Sequence, residues 1–558
     1  MNKDHHIGGI ALGLFLGAFL FAFYFMNEGL FHVDSVMLAR AVEDSYRTRC
    51  LHPAVSGRYG IVIINAILYL PFYVMGQNAD FLTRFSSVFF YALSIPAFFI
   101  FINALFKDRI QGFVAAVLLA LTPFYLIPNT FGKEHGMSMF FFLCSLVLVN
   151  RSAEEKRPGG VLLAGLCFMI ALSVRESLLF MLPFYFWVYF KPVIVMRGWG
   201  IEIQQERLNG RMLAFLFLPL AIIFSLMLLT YLGVVMQRSL SGDELSVPHF
   251  FGCFSKIFWS AGLDLKASFP SSYFCLGLLG ILVVGLERHF FLLVFFLVWG
   301  GVILIYGNFD GYVPRHLDMF ILAAHAFVSF FLAWLYRRFR VAAFGIFALL
   351  ITMQLIFMYP MLEFRRHYDG ALRLAAFVKT ITPPNAVLIT VDEAPFIEYY
   401  AKRKTISYPV DHWERLDGVL SDIKDLLKRN IPVYLILAPQ GYLQGGTILK
   451  SAFAQTSLRG DLILRQLIEK GVVSDISATR VSFQLSNDLK ENAIRGIAQG
   501  DFGKIWVMLQ NACRQSQRKI SRLFKVSLAG EILYEDYHCP ELGLELFMKP
   551  VYQLKARF

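Results

Sequence analysis

The chain has 558 residues, of which 57% are hydrophobic and 16% aromatic, and its formal net charge is +12. A soluble globular protein is far less apolar, so this composition indicates a polytopic membrane protein. The basic residues fall in short clusters between apolar segments, as in cytoplasmic loops, and nucleic-acid binding is not needed to explain the charge. The seven cysteines form no C-x-x-C pair, and they suggest neither a zinc site nor a disulfide framework.

Apolar segments of about 15 to 25 residues are long enough to cross a bilayer, with allowance for tilt and local thinning. The first follows Lys3 and has no small-residue cleavage site after it, so we interpret it as a retained signal-anchor helix. Another apolar stretch, residues 59–74, contains Pro71 and is interpreted as an interrupted helix at the outer membrane surface. The predicted spans are residues 7–26, 82–106, 110–128, 136–150, 160–174, 178–192, 212–235, 271–286, 290–306, 317–336 and 341–360.

The placement of residues 59–74 decides the topology. If this stretch crossed the membrane, the basic turn at residues 107–109 and three later basic loops would lie outside, against the usual charge bias. With the stretch at the surface, the chain crosses about eleven times, with its N-terminus in the cytoplasm and its C-terminus outside. The outer loops then include those at residues 34, 133–135, 175–176 and 314–316.

After Pro360 the composition becomes that of a soluble α/β domain. The pattern predicts helices at residues 372–380, 394–402 and 416–428, and buried strands at residues 386–391 and 432–438. Further strands are predicted near Phe483 and within residues 533–552, after a basic amphipathic helix near residues 504–524. We therefore predict a transmembrane catalytic domain over residues 1–360 and an extracytoplasmic α/β domain over residues 361–558.

Charged residues in the outer loops are the candidates for a functional site. A charge at a membrane boundary costs free energy unless it is paired or hydrated, so charges from several loops are expected to meet in a wet cavity. The ordinary alternatives are a solvated loop for Asp34, a surface ion pair between Lys133 and Glu134, and a simple pairing of Arg175 with Glu176. The candidates are Asp34, Lys133, Glu134, His135, Arg175, Arg315 and His316.

The order of these features resembles that of the GT-C glycosyltransferases, closest to the branch of protein O-mannosyltransferases and lipid A aminoarabinose transferases. The resemblance covers the membrane region, about 360 residues, and depends on the order and sidedness of short motifs. Ser35 replaces the acidic neighbour often found beside the first carboxylate, and this departure weighs against a metal site. The matching features are Asp34 in the first outer loop, His52-Pro53 before an interfacial stretch, Glu134-His135, Arg175 after a span and Pro314-Arg315-His316-Leu317 opening a late span.

The resemblance implies a role for each matched residue. Asp34 looks like the carboxylate that deprotonates or positions the acceptor. Glu134, with His135, looks like the second acidic motif, which in some members holds a divalent cation such as Mg²⁺ or Mn²⁺, here together with Asp34. The cations and His316 would bind the phosphate of the donor, because an arginine fork matches phosphate oxygens two at a time. These donor-binding residues are Arg175, Arg315, Lys133 and His316.

Nucleotide sugars are cytoplasmic, so an outward-facing site needs a donor that is carried across the membrane on a lipid. We therefore predict an inverting transferase of a prokaryotic cell membrane that moves a sugar from polyprenyl phosphate to a protein, lipid or glycan acceptor. One alternative is a transporter or flippase of lipid-linked sugars, although the sequence lacks the inverted repeats typical of transporters. The other is a non-catalytic membrane subunit, for which Asp34→Asn would leave function intact.

Overall fold

The protein was analysed as a computed structural model, which divides into two compact units. The first comprises Met1–Met26 and Ala41–Ile356, and the second comprises Asn27–Arg40 and Phe357–Phe558. The predicted spans at 271–286 and 290–306, and the motif at 314–317, lie almost wholly outside the described residues. The structure describes residues 2–30, 33–52, 58–192, 194–197, 200–203, 210–241, 279–280, 318–367, 370–390, 394–407, 416–436, 443–444, 447–448, 521–528, 531–538 and 551–554.

Helices dominate the chain before residue 367. A 3₁₀ helix, Glu176–Met181, separates α8 from α9, and a short antiparallel hairpin follows α9, with β1 at Ile194–Arg197 and β2 at Gly200–Ile203. The α-helices are α1 Asn2–Tyr24, α2 Val33–Thr48, α3 Tyr59–Val74, α4 Asp80–Phe106, α5 Arg109–Ala120, α6 Pro123–Thr130, α7 His135–Glu155, α8 Pro158–Val174, α9 Leu182–Phe190, α10 Gly210–Ser241, α11 Asp318–Arg338 and α12 Arg340–His367.

The core of the first unit is centred on α4. This helix packs against α1, α5 and α7, and most of its apolar side chains are buried. Helix α7 in turn packs against α8, and α8 packs against α3 and α10. The turn between α4 and α5 is short because Asp108 caps α5, accepting hydrogen bonds from the backbone N–H groups of Ile110 and Gln111 at 3.1 and 3.3 Å.

Several predicted spans are confirmed as apolar helices. Among the described residues, three helices are long and apolar enough to cross a bilayer: His6–Tyr24, Asp80–Phe106 and His135–Glu155. The total of about eleven crossings stays a prediction. Shorter apolar helices lie at Tyr59–Val74, Arg109–Ala120, Pro158–Val174, Gly210–Leu226 and Arg340–Ile356.

Three predicted segments differ in detail. Residues 110–128 form two helices, because the residue before Pro123 is disfavoured in helical conformation and Thr122 adopts an extended one. The segment at 178–192 begins inside the 3₁₀ helix rather than as a regular span. The interruption expected in residues 59–74 is not observed, because α3 is continuous over Tyr59–Val74 with Pro71 inside it.

The second unit contains a four-stranded mixed sheet in the order β10-β5-β3-β4. The buried strand β3 pairs in parallel with both β4 and β5, and β10 pairs antiparallel with β5. A short helical turn at Ala394–Phe396 continues as a π-helix, Ile397–Ala401, and connects β3 to β4. The strands are β3 Val387–Thr390, β4 Lys404–Ser407, β5 Val433–Ile436, β6 Leu443–Gln444, β7 Thr447–Ile448, β8 Ser521–Leu528, β9 Glu531–His538 and β10 Val551–Leu554, with helices α13 Gly370–Ile381 and α14 Leu416–Lys428.

The elements expected near 372–380, 386–391, 416–428 and 432–438 are observed within a few residues of those bounds. The helix predicted near 504–524 is wrong at its C-terminal end, because residues 521–524 belong to β8, whose alternating side chains pair with β9. The rest of that prediction, and the strand near Phe483, lie outside the described residues. The extracytoplasmic α/β domain as a whole stays a prediction.

The segment Asn27–Arg40 belongs to the second unit although it lies near the start of the chain. The backbone N–H of Leu30 donates to the Tyr400 hydroxyl at 2.9 Å, and Arg40 forms an ion pair with Glu398. Glu398 also accepts a hydrogen bond from the Thr405 hydroxyl at 2.7 Å. Asp34 lies half-buried in the first turn of α2, consistent with the preference for acidic residues at helix N-termini.

Candidate functional site

A cluster of charged side chains is buried where three helices of the first unit begin or end. Its centre is Arg58, the residue before α3. The Arg58 guanidinium donates from Nη1 to Glu134 Oε1 at 2.6 Å. It also donates two hydrogen bonds to Glu176, from Nε to Oε2 and from Nη2 to Oε1, both at 2.9 Å. One cation thus joins two carboxylates that are 42 residues apart in sequence (176 minus 134).

Arg175 and His135 form the second contact of the cluster. Arg175 ends α8 and is one of the largest fully buried side chains among the described residues, with 2% of its surface exposed. Its Nη1 lies 2.7 Å from His135 Nδ1. Because a guanidinium can only donate, Nδ1 must accept, so in this contact the imidazole is neutral and carries its proton on Nε2.

Close helix contacts position these side chains. A Cβ at Gly60, near the start of α3, would lie 2.0 Å from Ser173 Oγ near the end of α8, so only glycine lets the two helices meet there. A Cβ at Gly136 would lie 2.5 Å from the backbone nitrogen of Tyr91 in α4. Gly60 lets the start of α3 contact α8, and Gly136 lets the start of α7 contact α4. Arg58 and Glu134 are the residues directly before α3 and α7.

Hydrogen bonds to the backbone hold the loop before α7. The Ser87 hydroxyl donates to the carbonyl of Lys133 at 2.5 Å. The Asn129 side chain donates to the carbonyl of Tyr125 at 2.6 Å and accepts from the N–H of Gly136 at 2.7 Å. The position of the loop between α6 and α7 is therefore set by buried polar side chains of α4 and α6.

The electrostatics of the cluster favour ionised Glu134. Burial alone would raise the pKa of this carboxyl, but the positive charges of Arg58 and then of Lys133, with that of Arg175, hold its pKa well below the ordinary range. Arg58, Lys133 and Arg175 supply three positive charges, and Glu134 and Glu176 supply two negative ones. With His135 neutral, the named side chains carry one positive charge in excess.

No protein-family model matches the sequence, and neither does any curated protein sequence. Solved structures do match. The oligosaccharyltransferase of Archaeoglobus fulgidus, crystallised with Zn and sulfate, aligns over 97% of this chain and 88% of its own, with 12% identity and a TM-score of 0.50. The chain has the same fold as this archaeal oligosaccharyltransferase. The resemblance inferred from the order of the sequence motifs is thereby confirmed at the level of the fold.

ArnT of Cupriavidus metallidurans is also similar in structure. Its complex with undecaprenyl phosphate aligns over 77% of this chain and 92% of its own, with 11% identity and a TM-score of 0.49. Its apo form aligns over 78% and 93%, with 12% identity and a TM-score of 0.49.

The structure brings four predicted site residues together: Lys133, Glu134, His135 and Arg175. Asp34 belongs to the second unit. Arg315 and His316 lie outside the described residues. The sequence analysis treated Glu176 only as a bland partner for Arg175 and did not select Arg58. An arginine on the predicted outer side, directly before an apolar helix, runs against the charge bias, and that signal could have identified Arg58.

The described residues do not fit a divalent cation at Glu134 and His135. The carboxylate is occupied by the Arg58 guanidinium, and His135 Nδ1 accepts from Arg175. Among the residues that the structure describes, no group of three or more His, Cys, Asp and Glu side chains could hold a metal ion. The surrounding positive charges would also repel one.

Proposed function

We propose that this chain is an integral-membrane, inverting glycosyltransferase that moves a sugar from a polyprenyl-phosphate donor to an extracytoplasmic acceptor. The observation that carries the proposal is the buried, cation-rich cluster at the ends of α3, α7 and α8. A protein with the same fold is an oligosaccharyltransferase, which supports the class of reaction.

The donor phosphate is the proposed counterion of the cluster. Several cations gathered in a largely buried site favour an anion, and helix α7 directs the positive end of its dipole at the same place. Arg175 and Lys133 are buried to 98% (2% exposed each), so their charges are poorly screened by water. Together with Arg315 and His316 they would bind the phosphate and stabilise the charge that grows on it during transfer, each donor contributing about 2.7–4 kcal/mol.

The reaction is a single displacement. The acceptor oxygen attacks the anomeric carbon, the bond from that carbon to the phosphate oxygen breaks, and the electron pair leaves with polyprenyl phosphate. The acceptor's proton goes to Asp34, the residue matched to the first-loop carboxylate of the resemblance. Phosphate is a fair leaving group, so no separate acid is required.

Glu134 has a different proposed part. Its low pKa and its bond to Arg58 make it a weak base. We assign it to holding Arg58 and the neighbouring cations in place, while Asp34 acts as the base. Asp34→Asn should therefore abolish turnover without loss of donor binding, whereas Glu134→Gln should weaken donor binding and turnover together.

The test is transfer of radiolabelled sugar from a panel of polyprenyl-phosphate sugars by the purified full chain in lipid nanodiscs. Native membrane extract supplies the acceptors. Wild type is compared with Asp34→Asn, Arg175→Lys and Arg315→Ala. Turnover that falls by at least about 100-fold in Asp34→Asn, with weaker donor binding in the two arginine variants, supports the proposal.

Matched controls keep this result specific. Asp44→Asn removes a carboxylate on the same helix as Asp34, and Arg151→Ala removes an arginine whose side chain is 68% exposed. Both should retain wild-type transfer. Donor binding without turnover, indifferent to Asp34→Asn, would instead support a transporter or a binding subunit.

A further inference from the structure

The Arg58 guanidinium occupies the position between two carboxylates. Three of its N–H groups bond to Glu134 and Glu176 at distances of 2.6 to 2.9 Å. The Arg58 side chain is 17% exposed, that of Glu134 is 10% exposed and that of Glu176 is 40% exposed. Two neighbouring carboxylates repel when both are ionised, and a cation between them stabilises the doubly ionised pair.

Glutamate carboxylates and imidazole are the ligands that Mn²⁺ and Mg²⁺ use in proteins. Glu134 and Glu176 converge from different loops, and His135 follows Glu134 directly. The ligand types of a divalent-cation site are therefore present, but each is already engaged. Arg58 bonds to both carboxylates, and Arg175 donates to His135 Nδ1.

We infer that Arg58 is the resident cation of this carboxylate pair, and that it takes the place a divalent metal ion would need in order to bind Glu134 and Glu176. Removal of the guanidinium therefore converts the pair into a site for a divalent cation. The inference concerns cation binding, and it holds whether or not the chain transfers sugar.

The charges around the pair explain why the metal does not displace the arginine. Glu134 lies within the fields of Lys133 and Arg175 as well as Arg58, and these charges hold its pKa well below the ordinary range. A metal ion with two positive charges would add to this excess, whereas Arg58 adds only one and satisfies three acceptor positions with directed hydrogen bonds. Loss of Arg58 removes both the competitor and one repelling charge.

The experiment is Mn²⁺ binding to the purified full chain in nanodiscs, followed by the electron paramagnetic resonance of free Mn²⁺. The variants are Arg58→Met, which keeps length without charge, Arg58→Lys, which keeps a cation, and the double variant Arg58→Met with Glu134→Gln. Wild type and Glu134→Gln should bind Mn²⁺ equally. Arg58→Met should gain one Mn²⁺ site per chain. Its affinity for Mn²⁺ should exceed that of wild type by about 10- to 100-fold, the range typical of changes to the groups around a metal.

The double variant should lose the new site, and Arg58→Lys should not acquire it. Mn²⁺ that binds elsewhere on the chain contributes equally to wild type and variants, so it does not affect the differences between them. Two results would overturn the inference: Mn²⁺ binding in wild type that Glu134→Gln removes, or no gain in a folded Arg58→Met. If Arg58→Met fails to fold, the comparison of wild type with Glu134→Gln still tests whether the resident cation excludes the metal.

Discussion

Arg58→Met should destabilise the first unit, because it leaves Glu134 buried with its bonded cation removed. Breaking a buried ion pair by removal of one partner costs about 3–5 kcal/mol. Lys133 and Arg175 remain near Glu134 and offset part of this cost. The two bonds to Glu176 add little, since that side chain is 40% exposed and screened by water. We expect a net loss of about 2–4 kcal/mol in the free energy of unfolding.

The matched control is Arg47→Met. Arg47 pairs with Asp44 at 3.1 Å, but its side chain is 71% exposed. An exposed pair of this kind is worth less than about 1 kcal/mol. The assay is equilibrium unfolding in mixed micelles with increasing SDS, followed by tryptophan fluorescence.

A double-mutant cycle separates the ion pair from lost packing. Arg58→Met combined with Glu134→Gln removes the buried carboxylate at position 134 together with its cation, so the double variant should be more stable than the sum of the single effects predicts. The coupling free energy should be at least about 1 kcal/mol. If Arg58→Met costs no more than Arg47→Met, or if the coupling is absent, Arg58 is not the structural centre of the cluster.

Three further predictions concern acid stability, topology and packing. The pKa of Glu134 is lower in the folded than in the unfolded chain, so ionised Glu134 should stabilise the fold by a constant amount above about pH 5. This stabilisation should decline as the pH falls below the unfolded pKa of about 4.3. Unfolding free energies of wild type and Glu134→Gln between pH 3 and 7 check this, and a difference between the two that vanishes by pH 6 contradicts it. Cys50 is an exposed free thiol on the predicted outer side, so a variant with Cys50 as its single cysteine should react with a membrane-impermeant maleimide in intact cells, and reaction only after permeabilisation would refute that topology. Gly136→Ala should cost about 1–3 kcal/mol, because its methyl group would lie 2.5 Å from the Tyr91 nitrogen, while Gly159→Ala meets nothing within 4 Å and should be near neutral in the same unfolding assay.

The sequence predicted elements better than contacts. Apolar runs and prolines are local signals, so α4, α7 and α8 fall close to the predicted spans. The break at Thr122 was also readable, because a residue that precedes proline avoids the helical conformation.

The sequence predicted most residues of the candidate site, but it did not predict which side chains contact one another. The sequence predicted that Arg175 would need a compensating group on the outer side, and the observed contact is with His135, 40 residues away. Arg58 lies 76 residues from Glu134 and 118 from Glu176. No local sequence pattern predicts contacts between residues so far apart in the chain. They depend on the close approach of α3 to α8 and of α7 to α4, which two glycines permit.

The membership of Asn27–Arg40 in the second unit imposes an order on synthesis. Leu30 bonds to Tyr400, 370 residues later, and Arg40 pairs with Glu398, 358 residues later. At a translation rate of about 5–20 residues per second, the segment that carries Asp34 leaves the ribosome roughly 20–75 s before its partners exist. It must wait through the insertion of the helices in between. A chain truncated after residue 360 would therefore contain all residues of the first unit and still lack the partners of Leu30 and Arg40.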